Sequence, residues 1–113
     1  MISTHILDTS EGRPATDVPV ELSRREADGT WTVLGASATN ADGRCPDLPP
    51  LGDGPDAGPV DVRLVFDIAA YRRARGETPF FPEVQVVFTA DPGTHYHVPL
   101  LLNPYGYSVY RGS

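Results

Sequence analysis

Two runs of the chain alternate apolar residues with a period of two, and this pattern restricts the fold more than any other feature. Across 60–67, Val60, Val62, Leu64 and Phe66 share one parity, while Asp61, Arg63 and Asp67 fall on the other. Across 96–102, Tyr96, Val98, Leu100 and Leu102 share a parity. Successive side chains of a strand point to opposite faces of its sheet, so each run reads as a half-buried strand.

The remaining segments fit between such strands. Residues 2–8 are rich in β-branched side chains and run into the turn Ser10-Glu11-Gly12-Arg13-Pro14. Val18 to Ser23 reads as a second strand, with Val18, Val20 and Leu22 on one face. Asp28-Gly29 marks a hairpin, Trp31 to Thr39 a third strand, and Asn40-Ala41-Asp42-Gly43 a turn that delivers Arg44. The stretch 46–59 is rich in Pro, Gly and Asp and reads as a loop. Residues 68–75 are the one helical segment, closed by Gly76. Glu83 to Thr89 is a further strand, and Asp91-Pro92-Gly93 a turn. Asn103-Pro104-Tyr105-Gly106 interrupts the strand pattern before it resumes from Tyr107 to Tyr110. With 11 Gly and 12 Pro in 113 residues, many short strands joined by turns are the natural outcome. The expected architecture is an antiparallel two-sheet β-sandwich of about eight strands with a short helix, forming a single domain over 1–113.

Charge and composition exclude several functions. The net charge is −6 and the nine basic residues are all Arg, so clustered positive charge for nucleic acid is missing and lysine chemistry is unavailable. Cys45 is the single cysteine, which rules out an intrachain disulfide. No apolar run approaches the roughly 20 residues of a membrane-spanning helix. The opening Met-Ile-Ser-Thr-His-Ile-Leu has no secretory character, so the expected compartment is the cytoplasm.

Three histidines are candidates for chemistry. His95 and His97 are two apart in a strand pattern and share a face opposite Tyr96, Val98 and Leu100; His5 sits in the first strand. Histidine, with an unperturbed pKa of about 6.5, is the common acid–base residue near neutrality. A solitary strand histidine is ordinarily just solvated or hydrogen-bonded. A His-x-His pair is more suggestive, and three histidines also fit a zinc site that activates water, although no Cys or carboxylate is spaced to reinforce it. Arg44 offers a planar fork of donors suited to anionic edges, against the plain reading of a surface arginine. Cys45 reads as a small buried hydrophobe. The ending Tyr110-Arg111-Gly112-Ser113 places a strand close to the terminal carboxylate, with a glycine that permits a turn and brings Tyr110, Arg111 and Ser113 close together.

Taken in order, these segments resemble the 5-hydroxyisourate hydrolase branch of the transthyretin family. Ser3-Thr4-His5-Ile6-Leu7-Asp8-Thr9 is similar to that family's first strand, and Gly12-Arg13-Pro14-Ala15 to the turn after it. Thr39-Asn40-Ala41-Asp42-Gly43-Arg44-Cys45-Pro46 is similar to the segment with the family's active-site arginine. Phe80-Phe81-Pro82-Glu83-Val84, His95-Tyr96-His97-Val98-Pro99-Leu100-Leu101-Leu102 and the terminal Tyr110-Arg111-Gly112-Ser113 complete the set. The resemblance covers nearly the whole chain. It departs in the Pro/Gly-rich stretch near 49–59 and at Asn103, where a small hydroxylated residue is expected.

The resemblance implies a transthyretin-like sandwich and a cofactor-free, metal-independent hydrolase. That enzyme opens the six-membered ring of 5-hydroxyisourate to 2-oxo-4-hydroxy-4-carboxy-5-ureidoimidazoline, on the route from urate to allantoin. It implies a homotetramer, a dimer of dimers with sites at the dimer–dimer interface. Carried over by position, the catalytic residues are His5, Arg44, His97 and Ser113, and Tyr110, Arg111, Gly112 and His95 bind the substrate. His97, helped by His5, would deprotonate the attacking water, and Arg44 would hold the substrate and its developing negative charge. The competing readings are a small-ligand carrier on the same fold, a zinc hydrolase, and a purely structural sandwich.

Overall fold

A computed structural model of the chain describes residues 1–52 and 58–113. Among these the elements are β1 (Ile2–Asp8), β2 (Arg13–Pro14), β3 (Pro19–Arg25), β4 (Trp31–Ala38), β5 (Val60–Phe66), α1 (Ile68–Ala74), β6 (Val84–Ala90), β7 (Tyr96–Asn103) and β8 (Gly106–Val109). The strands form two four-stranded sheets, ordered β2-β1-β7-β8 and β4-β3-β5-β6. This is the expected all-β sandwich with a short helix. No helix of the described residues is long and apolar enough to cross a membrane.

Alternation builds the core. Ile6, Leu100 and Leu102 project from one sheet and meet Leu22, Val62, Leu64 and Phe66 from the other, each no more than 1% exposed. Fully burying such a side chain contributes about 1.5–3 kcal/mol, so these seven positions weigh heavily in the stability of the sandwich. In β1, Ile2, Thr4, Ile6 and Asp8 are buried, while Ser3, His5 and Leu7 are half-buried on the opposite face. The functional side chains are therefore set on the outer face of the first sheet, and their positions follow from the inward packing of their neighbours.

Four local features differ from the expectation. β1 and β7 pair in parallel, from Ile2↔Tyr96 to Asp8↔Leu102, so the sandwich is not wholly antiparallel. The whole second sheet lies between these strands in sequence, and a connection of that length can return the chain in either direction. The second strand starts at Pro19, after Val18, and extends to Arg25, with a bulge at Leu22/Ser23 that buries both residues. Arg13–Pro14, expected in a turn, forms the short strand β2 against Leu7 and Asp8. The last strand runs from Gly106 to Val109, and Tyr110 lies beyond it. In the expected loop 46–59, residues 46–52 and 58–59 hold no helix or strand, and 53–57 lie outside the described residues.

Helix α1 matches the expected 68–75 closely, with Arg75 as its C-cap. Its start is set by Asp67, whose carboxylate accepts the Ala70 N–H at 3.0 Å. On the inner side Tyr71 donates to the buried Asp8 carboxylate at 2.8 Å, and Arg72 reaches the same oxygen at 3.4 Å. Burial alone would raise the Asp8 pKa. Hydrogen bonds from Ser10 and Tyr71 and the charge of Arg72 outweigh it and hold the carboxyl below its ordinary range.

Candidate active site

The outer face of the first sheet carries two rows of residues set by strand register. In the first row Arg44 forms an antiparallel bridge to His5, and His5 pairs with Pro99. In the second row Ser3 pairs with His97, and His97 forms an antiparallel bridge to Gly112. Directly paired residues share a face. His5, Arg44 and His97 are thus neighbours on one open surface, although 39 positions separate His5 from Arg44 and 53 separate Arg44 from His97 in the chain (44 − 5 and 97 − 44).

A turn places Arg44. The Asn40 side-chain oxygen accepts the N–H groups of Asp42 at 2.9 Å and Arg44 at 3.1 Å, and Gly43 N–H closes onto the Asn40 carbonyl at 2.9 Å. The Gly43 carbonyl then accepts Ile6 N–H at 2.8 Å, docking the turn beside β1. Gly43 has φ +77°, and a Cβ there would lie 2.5 Å from the Ile6 carbonyl oxygen and 3.2 Å from His5 Cδ2. Only glycine fits both the backbone conformation and the close approach.

A second glycine closes the other flank. Gly112 donates its N–H to the His97 carbonyl at 2.7 Å, and a Cβ on Gly112 would sit 2.7 Å from His97 Cδ2. In place of the expected sharp turn, the chain continues alongside β7, and what the position demands is the absence of a side chain. On the opposite flank of the ring, the Ser3 hydroxyl lies 2.8 Å from His97 Nδ1 and 3.0 Å from His95 Nε2. The His95–His97 pair does share a face, as their spacing predicts.

Partial burial lowers the His97 pKa below the usual 6.5, and the charges of Arg44, His5 and His95 act in the same direction. Its neutral form, able to accept a proton, therefore prevails at neutral pH. Burial pushes the Cys45 thiol up, and the residue belongs to the core, as its plain reading predicts. No group of three His, Cys, Asp or Glu side chains with the geometry of a metal-ligand set occurs among the described residues.

The Arg111 guanidinium lies 4.8 Å from the ring centroid of Tyr96, whose side chain is on the core side of the sheet. Tyr110 and Arg111 border a crevice of about 250 Å³ between β6 and β8, shared with Phe88 and Val109. Ser113 is exposed. Among the described residues no hydrogen bond or ion pair joins Ser113, Tyr110 and Arg111. Within the chain the structure unites His5, Arg44, His95, His97 and Gly112. It adds Ser3 and Gly43, which the sequence reading passed over. Ser3 has the parity of His5 in the first strand, and that shared face is the signal the sequence holds.

Fold and site together define a transthyretin-type sandwich with a polar, histidine-bearing outer face. The chain belongs to the HIUase/Transthyretin family, whose model matches residues 2–112. It is 45% identical to the 5-hydroxyisourate hydrolase of Mus musculus over 99% of this chain and 94% of that protein. The solved 5-hydroxyisourate hydrolase of Klebsiella pneumoniae superposes with a TM-score of 0.80 at 37% identity, covering 99% of this chain and 98% of that one. Sea bream transthyretin in complex with thyroxine superposes with a TM-score of 0.87 at 34% identity, over 98% of this chain and 93% of that one.

Proposed function

We propose that this protein hydrolyses the six-membered ring of 5-hydroxyisourate, giving 2-oxo-4-hydroxy-4-carboxy-5-ureidoimidazoline, without metal or cofactor. The observation that carries this reading is the meeting of His5, Arg44 and a neutral-leaning His97 on one open sheet face. A neutral imidazole accepts a proton from water as the water oxygen bonds to the ring carbonyl carbon. Negative charge develops on the carbonyl oxygen, and the Arg44 guanidinium would hold it. Collapse breaks the carbon–nitrogen bond, and the proton held by His97 passes to the leaving nitrogen. Water is thereby divided between the new carboxylic acid and the freed N–H, and His97 is regenerated.

The outer face that bears these residues is half-buried rather than enclosed. A second copy packed over it would complete a pocket. In the proposed homotetramer, a dimer of dimers, the tails of facing subunits bring Ser113 and its carboxylate, with Tyr110 and Arg111, to the substrate. The domain spans 1–113, and the cytoplasm is its proposed compartment.

The second reading is a carrier of small aromatic ligands, favoured by the superposition on sea bream transthyretin. A shared fold serves either function. The deciding experiment follows the absorbance of 5-hydroxyisourate, generated in place from urate and urate oxidase. Decay faster than the spontaneous rate, unchanged by a chelator, is the expected result. Acceleration abolished by the chelator would replace this reading with a metal hydrolase, and no acceleration by the folded protein would favour the carrier.

A further inference from the structure

The Ser3 hydroxyl contacts two imidazoles at once, His97 through Nδ1 at 2.8 Å and His95 through Nε2 at 3.0 Å. A hydroxyl carries one proton. With both imidazoles neutral it donates to one ring and accepts from the other, so the two tautomers are locked together. If Ser3 donates to His97, the ring proton of His97 is on Nε2, and that nitrogen cannot take a proton from water. If Ser3 donates to His95, it accepts from His97 Nδ1–H, and the His97 Nε2 lone pair is free.

We infer that Ser3 is a positioning residue that holds His97 in its Nδ1–H tautomer, with His95 Nε2 as the terminal acceptor of the hydrogen-bond chain. The inference rests on the reading of His97 as the base. Geometry fixes the ring on both flanks, and the tautomer follows from the need for a free Nε2 lone pair. Ser3 fixes the Nδ1 side through the β1–β7 register, and Gly112 packs against Cδ2 on the other. Nε2 makes no hydrogen bond among the described residues, and lies at the tip of a ring clamped on both sides.

His95 thereby gains a function distinct from contact with substrate. Once protonated, its Nε2–H donates to Ser3, the hydroxyl turns its proton toward His97 Nδ1, and the base-competent tautomer is lost. The groups whose charge acts on His97 are Arg44, His5 on β1 and His95 itself, and the Met1 ammonium donates to the Thr94 carbonyl, next to His95, at 3.2 Å.

The test pairs kinetics with the imidazole nitrogen resonances of ¹⁵N-labelled full-length protein at pH 8, comparing wild type, Ser3→Ala and Ser3→Thr. The wild type should show His97 as Nδ1–H. Ser3→Ala should shift it toward Nε2–H and lower kcat about tenfold with KM nearly unchanged. Ser3→Thr keeps the hydroxyl and should restore both. A wild-type His97 protonated on Nε2 overturns the inference. So does an unaltered tautomer in Ser3→Ala, or an undiminished kcat. The resonances need no turnover, so an inactive wild type with the assigned tautomer counts against the hydrolase reading and leaves the positioning role of Ser3 standing.

Discussion

At the scale of single residues, the demands on His97 are chemical and steric together. Replacing it with Asn keeps a polar side chain of similar reach but removes the base. The proposed role requires kcat to fall about 10²–10⁴-fold while substrate still binds. Near-normal turnover of His97→Asn in the absorbance assay would remove His97 from the mechanism. The depressed pKa also sets the acid limb of kcat/KM, which should lie below the ordinary 6.5, since the base is neutral above its own pKa. The same shift bears on stability. Because the folded pKa is below the unfolded one, the folded state holds fewer protons; this contribution is present above about 6.5 and is lost as pH falls through the folded value. Gly112→Ala tests the steric side: a Cβ 2.7 Å from His97 Cδ2 forces the ring or the tail to move. Its expected signature is reduced activity with a nearly unchanged melting temperature, because the tail is peripheral to the core; a fully active variant would show that the clamp on the ring is dispensable.

At the scale of elements, α1 is held to β1 by a buried carboxylate shared between Tyr71 and Arg72. The Arg72 side chain is 4% exposed and that of Asp8 0%, so removing Asp8 takes away the buried partner of this cation and leaves it only the exposed Glu77 carboxylate, at 3.4 Å. Breaking such a pair costs about 3–5 kcal/mol, and Asp8→Ala should lower the urea midpoint accordingly. A variant with an unchanged midpoint would mean that Glu77 or water satisfies Arg72 once the Asp8 carboxylate is gone. Asp8 ionises below its usual 3.8, so the folded protein keeps this contribution above that pH and loses it as pH falls through the folded value. How much was legible in advance differs from element to element. The bounds of β1 and nearly those of α1 could be read from the chain, because alternation and capping are local. The buried side of β5 and β7 was equally plain, since Phe66 and Leu100 can satisfy their chemistry only inward. The parallel pairing of β1 with β7 was not legible, since periodicity records which face is buried and says nothing of strand direction. β2 was hidden because Arg13-Pro14 carries turn chemistry and pairs for only two residues. The site divides in the same way. His97 and Arg44 stood out by residue type and motif, whereas Ser3 acquires its meaning only from the register that sets it beside His97.

At the scale of the whole molecule, the open histidine face is also an apolar one. Leu7 pairs with Leu101 across β1 and β7, and both are half-buried on the surface that carries His5 and His97. A monomer would leave this stripe to water, whereas an isologous pairing of two such faces would bury it and enclose the histidines. The edge strands β6 and β8 have one neighbour each, and Val87 and Tyr107 are exposed there, at 52% and 44%. The two surfaces suit the two contacts of a dimer of dimers: strand edges within a dimer, and histidine faces between dimers. Leu101→Glu separates these contacts, because it places a charge on the outer face and leaves both the core and the strand edges intact. The proposed assembly predicts that light scattering will find a tetramer for the wild type and a dimer for Leu101→Glu. The dimer should be folded by circular dichroism and at least tenfold weaker in kcat/KM, since its sites would lack the facing subunit. If the variant remains tetrameric, the histidine face is not the dimer–dimer contact. If it is dimeric but fully active, the site is complete within one sheet, and the facing subunit and its tail contribute nothing to the chemistry.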